Sequence, residues 1–453
     1  MLIFEKVKDI YGHRYICPYC LGRMFSILAT NTTNLERGES ILLTFTMESH
    51  SNYLSGDGEM REEAISNLKL LAEKANFKAA QQVLQKEGIS FEKENDDKQC
   101  YLCHDIFDNL DIYLDKAKDK VKNIEFETFL VGTSPDGRLI NKEDQFKAKL
   151  NIFEAESFKS HFNREVGKLI ADELNKEPEF SYPDITLIYS LSYDSSTIRM
   201  LIRSVFIYGR YKKLIRGIPQ TQWPCRNCHG AGCEDCDFTG KTYQNSVEEY
   251  ISPQFLEAAK AEDSKFHGAG REDIDVRMLG TGRPFILELE NPKIRTLNLQ
   301  ELKKKVNAIN KEKVEIQDLR FSDKNEVIKI KEQAEDTEKT YKALVSSPIK
   351  LDEKQFNEKL EQLKEHIVGQ IIDQRTPSRV SHRRADKIRK KKIYKVEGSY
   401  LDPSLYEFII KTQGGTYIKE LITSDEGRTK PSFSEIFNTS LECKQLDVIN
   451  INY

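Results

Sequence analysis

No stretch of the 453 residues comes near the ~20 consecutive apolar side chains that a helix needs to cross a bilayer. The first residues, MLIFEKVKDIYGHRY, lack the apolar core and small-residue cleavage site of a signal peptide. The expectation is a cytoplasmic protein with no membrane partner. Nucleotide-cofactor signatures are missing too. No G-x-x-x-x-G-K-[ST] occurs, and Gly268, Gly270, Gly280 and Gly282 do not fall into G-x-G-x-x-G. The chain also lacks a Gly-rich methyltransferase loop after a strand, and the H-x-E with a later P-C-x-x-C of the zinc deaminases. Positive charge is not in excess: 69 Lys+Arg against 73 Asp+Glu leave a net charge of −4. Uniform coating of nucleic acid is thereby excluded, and a local basic groove is not. Tryptophan occurs once, as Trp223.

Cysteine is well supplied. Eight of the nine cysteines form four C-x-x-C pairs: Cys17/Cys20, Cys100/Cys103, Cys225/Cys228 and Cys233/Cys236. In a reduced compartment this is the pattern of structural zinc, since each C-x-x-C sets two thiolates on one tight turn and two turns complete a tetrahedron. The close pairs at 225–236 form a compact knuckle within 223–240, where Gly230 and Gly232 let the backbone turn around the ion. Cys17, Cys20, Cys100 and Cys103 are the candidates for a second ion. His104 beside Cys103 is a possible substitute ligand or a surface residue. Four thiolates leave no open position, so both ions would be structural. Trp223 is expected to pack on the knuckle, and Cys443 to be buried and unpaired.

The periodicities predict an α+β chain. Helical spacing covers 62–87 and 162–174, and strand-like runs cover 126–132, 185–193 and 197–208. A basic, aromatic-interleaved segment at 209–213, with Lys212, Lys213 and Arg216, is open to two readings: a solvated turn or an RNA contact. Beyond it, helices are expected at 246–261 (interrupted by Pro253), 299–310 and 356–363. Strands are expected at 284–289, 314–321, 341–345, 367–372, 393–396 and 406–411. Many strands with few helices predict a mixed or antiparallel sheet. The boundary between an accessory region and a second domain is placed at 240/241.

The densest chemistry lies at 266–285, FHGAGREDIDVRMLGTGRPF. Ile274, Val276, Met278 and Leu279 read as a short strand, with glycine turns at both ends. Within it, G-R-E-D-x-x-V resembles the G-R-T-D-x-G-V motif of the TruA-type tRNA pseudouridine synthases, whose Asp is the nucleophile. The longer stretch resembles the signature of the THUMP-containing tRNA pseudouridine synthase family of archaea and eukaryotes, which acts at uridines 54 and 55. GGTYIK at 414–419 is similar to the G-T-Y-I-R motif of the TruB-type enzymes, whose basic side chain pairs with the nucleophile. Lys419 departs from that Arg and cannot offer the same fork. The run QRTPSRVSHRRADKIRKKK at 374–392 is a concentrated footprint for phosphate, and its first part also recurs in the family.

The resemblance implies a pseudouridine synthase fold preceded by a zinc-binding, THUMP-containing region, with tRNA as the partner and no obligate protein partner. It implies Asp273 as nucleophile, with Asp275 a rival on the same face by alternation, Lys419 as its cation, and Arg271 filling the vacated stack or holding phosphate. Tyr341 would stack on the flipped uracil, Ile418 and Leu446 would line the pocket, and Arg375, Arg379, Arg383 and Arg384 would hold the substrate. The isomerisation consumes no redox equivalents or energy, so no catalytic cofactor is expected. A non-catalytic tRNA-binding protein, stabilised by zinc, is the alternative.

Overall fold

The computed structural model describes residues 3–92, 98–332, 337–382 and 384–452. It divides into two units, Met1–Arg203 and Ser204–Tyr453. The expected boundary at 240 is thereby moved toward the N-terminus. The predicted single strand at 197–208 is two strands, and they belong to different sheets.

The first unit opens with helices α1 (Ile3–His13), α2 (Pro18–Met24), α3 (Asn34–Ser55), α4 (Gly58–Lys69) and α5 (Lys78–Lys86). Thr33 and Glu36 form a reciprocal capping box at the start of α3, satisfying two backbone N–H groups that have no helical partner. Gly22 and Gly38 let α2 and α3 touch backbone to backbone. A Cβ on either would sit 1.7 or 2.0 Å from a carbonyl oxygen of Asn34 or Pro18. The rest of the unit is α6 (Asp111–Val121), β1 (Thr128–Pro135), α7 (Gly137–Lys149), α8 (Phe158–Leu174), β2 (Glu177–Pro178), β3 (Ile185–Leu191) and β4 (Ser196–Ile202). Its sheet has the order β2-β1-β3-β4, with β1 parallel to β2 and β3 and with β3–β4 antiparallel. Phe129, Phe162, Val166, Ile185 and Tyr189 fill the space between sheet and helices.

The second unit begins with β5 (Val205–Lys213), then α9 (Val247–Ala259), β6 (Asp263–Gly268), β7 (Arg277–Glu290), α10 (Leu299–Ile309), β8 (Val314–Ser322) and α11 (Lys324–Glu332). It continues with β9 (Glu338–Ser346), α12 (Glu353–Ile367), β10 (Ile371–Arg375), β11 (Ile388–Asp402), β12 (Leu405–Gln413), α13 (Ile418–Thr423), β13 (Thr429–Lys430), α14 (Phe433–Phe437) and β14 (Glu442–Asn452). Among the described residues these strands form one sheet, ordered β13-β10-β11-β12-β9-β14-β7-β5-β8, with β6 on β7. Only the β14–β7 pairing is parallel. β5 pairs with β7 and β8, which is why the chain from Val205 onward belongs here. α9 runs through Pro253 without interruption. Burial of Val247, Ile251 and Phe255 offsets the roughly 3 kcal/mol that an interior proline costs a helix. Ile367 ends α12 instead of starting a strand.

The glycines expected to close a turn after Leu279 lie inside β7. Gly280 and Gly282 have φ of +57° and +71°. A Cβ on Gly280 would fall 1.7 Å from the Ile449 carbonyl oxygen, and one on Gly282 2.8 Å from that of Tyr211. The β5–β7 register shifts between Tyr211 and Lys213, opposite this segment. The glycines thus mark a bulge where β7 is pressed between β14 and β5.

Candidate active site

The loop ahead of β7 carries both candidate carboxylates. Instead of a strand, it makes a turn in which the Val276 N–H donates to the Asp273 carbonyl at 3.1 Å. Alternation therefore does not govern Asp273 and Asp275, yet both reach the same cation. Lys419, at the start of α13, donates to the two oxygens of Asp275 at 2.8 and 2.7 Å, and its ammonium lies 3.7 Å from Asp273 Oδ2. Burial pushes the Asp275 carboxyl up, but the Lys419 hydrogen bond and charge outweigh it and leave it below the usual carboxylate range.

Asp273 has a nearer cation. Arg379 Nη1 is 3.0 Å from Asp273 Oδ2, while Arg379 Nε donates to Glu420 at 2.6 Å. The Asp273 side chain is 32% exposed and that of Asp275 66%. A cleft of about 570 Å³ opens over this group. Asp273, Tyr341, Ile418 and Val448 line it, and Asp275 does not. Among the described residues the lining cations are Arg271, Arg283, Lys331, Lys339, Arg379, Arg384 and Lys419, against the carboxylates Glu272 and Asp273. A cleft so charged is suited to a polyanion. Tyr341, on β9, is 9% exposed. Burial pushes its phenol up to about 12, so it keeps its proton at neutral pH.

Beneath the loop lies a buried ionic cluster. Glu272 accepts from Arg283 Nε at 2.8 Å and from the Tyr211 hydroxyl at 2.9 and 3.0 Å. Its carboxylate is 3.8 Å from the Lys213 ammonium. Lys213 donates to the carbonyls of Ile218, Asp273 and Ile274 at 3.0, 3.1 and 3.2 Å. Arg216 Nη1 donates to the Asp275 and Leu446 carbonyls, both at 2.7 Å, and Arg216 Nη2 to Asp447 at 2.6 Å. Gln220 ties the Tyr211 hydroxyl to the Gly270 carbonyl, at 2.9 Å each. The solvated-turn reading of the 209–213 segment is therefore replaced by the end of strand β5. Lys213 is 0% exposed, so it neither faces solvent nor reaches RNA. Lys212 is paired with Glu315 at 3.3 Å.

A family model described as "Pus10, C-terminal" matches residues 206–452, and one described as "Pus10 THUMP domain, archaeal" matches residues 113–190. A protein named tRNA pseudouridine synthase Pus10 from Methanothrix thermoacetophila is 41% identical over 96% of this chain and 91% of its own. Proteins of the same name from Methanocaldococcus jannaschii and Methanothermobacter marburgensis are 42% and 39% identical. They cover 96% and 99% of this chain and 92% and 97% of theirs. The chain belongs to the Pus10 family of tRNA pseudouridine synthases.

The eight paired cysteines gather into two groups, Cys17/Cys20/Cys100/Cys103 and Cys225/Cys228/Cys233/Cys236, each with its sulfurs within 4.8 Å of one another. Sulfur–sulfur separations of 3.6 Å in the first, and 3.7 to 3.9 Å in the second, are far from disulfide bonding. They match the ~3.8 Å edge of a tetrahedron with metal–sulfur bonds of ~2.3 Å. Backbone N–H groups of Cys17, Gly232, Cys233 and Gly240 point at sulfurs from 3.1 to 3.3 Å, the arrangement that stabilises thiolates. Gly230 and Gly232 take φ of +100° and +90°, so the expected tight turn is present. The residues fit a closed four-thiolate metal ion at both places. His104 is not in either group; it stacks on Tyr193 with ring centres 3.8 Å apart.

The other expected residues fall variously. Arg271 lines the cleft with its guanidinium 5.3 Å above the Trp223 ring. Trp223 packs edge-on against Tyr243 at 5.6 Å, so the indole serves Arg271 besides lying next to the knuckle. Leu446 is buried on β14 but does not line the cleft; Val448, two residues on, does. Arg379 turns to carboxylates. Arg375 is paired with Asp386 at 2.9 Å and lies outside the cleft lining. Arg384 lines the cleft and donates to the Tyr417 hydroxyl at 2.8 Å. Arg383 lies outside the described residues. Cys443 is half-buried. Sequence reasoning missed Glu272, Lys213, Arg216 and Glu420 as parts of the site. The one available signal for Glu272 was an acid in a loop whose neighbours at 271, 277 and 283 are all arginines.

Proposed function

We propose that this chain converts uridine to pseudouridine in the TΨC arm of tRNA, at position 54, position 55 or both, with Asp273 as the nucleophile. The observation that carries this reading is the Asp273 carboxylate, paired with Arg379 and Lys419, in the lining of a cationic cleft that Tyr341 and Ile418 also line. In the reaction the C1′–N1 bond breaks, the base turns, and a C1′–C5 bond forms. C5 gives up a proton and N1 gains one, so atoms and electrons balance without a co-reactant. Asp273 attacks C1′ or takes the 2′-proton in a glycal route. Arg379 and Lys419 counter its charge, both approaching Oδ2. Tyr341 and Ile418 receive the everted base, whose unstacking costs a few kcal/mol. Arg271, carried on Trp223, fills the gap left in the helix or grips a phosphate. The ions held by the two cysteine groups are zinc, closed and structural, and the enzyme works on tRNA in the cytoplasm.

The test is mapping of pseudouridine on an unmodified tRNA transcript. Wild type is expected to form product, Asp273→Asn none, and Asp275→Asn a reduced amount. Product from Asp273→Asn at the wild-type rate removes Asp273 from the chemistry. A wild-type chain that binds tRNA and modifies none of several transcripts leaves the non-catalytic binder as the function.

A further inference from the structure

Three consecutive carbonyls of the turn that bears Asp273 and Asp275 point at cations. The Asp273 and Ile274 carbonyls accept from Lys213 at 3.1 and 3.2 Å, and the Asp275 carbonyl from Arg216 at 2.7 Å. Ile274 also accepts from the Gly217 N–H at 2.9 Å. All three donors come from a single stretch at the end of β5. A turn usually satisfies its carbonyls with water or its own N–H groups; the Asp273 carbonyl takes the Val276 N–H of the turn as well as Lys213. Here the backbone is fastened from below, and the two carboxylates are left on the side that meets Lys419 and Arg379.

We propose that Lys213 and Arg216 are positioning residues of the isomerisation: they fasten the turn so that the Asp273 carboxylate stands at a fixed height in the cleft. This rests on Asp273 being the reacting carboxylate. Lys213 is a costly choice for the purpose. An ammonium that is 0% exposed loses its hydration, and burial pulls its pKa below the ordinary lysine value. Glu272 opposes that shift from 3.8 Å, and Glu272 is itself held by Arg283 and Tyr211. The buried cluster is therefore the counter-charge that lets a cation sit under the turn. A neutral side chain could fill the same space, but it would give up the two turn carbonyls that the ammonium holds at once. Arg216 carries the second fastening and adds a tie to Asp447, which pairs with Arg277 at the first residue of β7. The turn is thus referenced to β5, β7 and β14 together. Displacement of a reacting group by about 1 Å is enough to cost on the order of a hundredfold in rate.

The experiment measures single-turnover pseudouridine formation and tRNA binding for the full-length chain. The variants are Lys213→Met, Arg216→Met and Arg216→Lys, with thermal melting to establish the folded fraction. The expected result is a rate per folded molecule at least about tenfold lower for both methionine variants. The tRNA Kd should stay within about twofold of wild type, and Arg216→Lys should recover part of the rate by keeping one donor. A merely structural role would lower the melting temperature and leave the rate per folded molecule in place. That outcome, or a parallel weakening of tRNA binding with kcat intact, overturns the proposal. If Lys213→Met does not fold, the Arg216 pair decides by the same criterion. Failure of the Asp273 reading is distinguishable, because it appears as activity in Asp273→Asn whatever these variants do.

Discussion

Arg379→Met separates the two jobs that the Arg379 guanidinium holds. Its Nη1 is 3.0 Å from Asp273 and its Nε 2.6 Å from Glu420. At 3.0 Å and an effective dielectric of about 20, the attraction to Asp273 is on the order of 5 kcal/mol. Arg379 is 38% and Asp273 32% exposed, so solvent screening reduces this to about 1–3 kcal/mol. Glu420 is the costlier loss. Its side chain is 6% exposed, and its Oε2 has no hydrogen-bond partner among the described residues. Removing the guanidinium strands a buried charge, at about 3–5 kcal/mol. Arg379→Met is therefore expected to lose roughly that much stability, read by denaturant or thermal melting. It should also lose about 10²-fold or more in single-turnover rate, the usual scale for an electrostatic partner of reacting charge. The double variant Arg379→Met/Glu420→Gln removes the stranded charge. It should regain most of the stability and none of the rate. Recovery of rate along with stability would show that Arg379 acts only by seating Glu420. An Arg379→Met chain as stable and as fast as wild type would refute the electrostatic reasoning altogether.

Gly280→Ala should lower stability by about 3 kcal/mol or more, because the new Cβ meets the Ile449 carbonyl and the left-handed backbone is strained as well. Gly369→Ala, at φ +80° with nothing near its Cβ, is the control and should lose only about 1 kcal/mol; equal melting shifts would discount the close approach. The chain is expected to carry two zinc ions by elemental analysis. Chelation should strip the Cys225 group first, since Cys228 and Cys233 are half-buried while all four cysteines of the other group are buried. A change in the fluorescence of Trp223, the lone tryptophan, should accompany that first loss, and simultaneous release of both ions would contradict the ordering. Burial pushes Asp447 up, but Arg277 and Arg216 pull its carboxyl below the usual range. Its folded value is thus lower than its unfolded value of about 3.9, and its contribution is full above that pH and lost as pH falls through the folded value. Acid melting curves of wild type should steepen below about pH 4, and Asp447→Asn should flatten that part; parallel curves would deny the linkage.

Much of this protein could be read from its residues in order. Four C-x-x-C pairs specify two tetrathiolate groups because the spacing alone presents paired sulfurs. Spacing does not say which pairs combine across the 79 residues between Cys20 and Cys100, and the fold of the first unit settles it. The 266–285 stretch and the 414–419 motif resemble those of the family to which the chain belongs, and the fold brings Asp273, Lys419 and Ile418 from them, with Tyr341 from β9, to the lining of one cleft. Composition could not sort the cations. Lys213 and Arg379 look like phosphate ligands in sequence, since a cationic side chain is the same string whether water, phosphate or a buried carboxylate faces it. The pairing of β5 with β7 buries Lys213, and the approach of the 376–380 segment to α13 aims Arg379 at Asp273. Gly280 and Gly282 read as turn residues because glycine permits positive φ in many settings. Only the approach of β14 to Gly280 and of β5 to Gly282 shows that they serve close backbone contact. The end of the first unit at Arg203 was invisible for a similar reason. The strand-like pattern at 197–208 does not change where the chain passes from one sheet to the other, and hydrogen-bond partners far along the chain decide that.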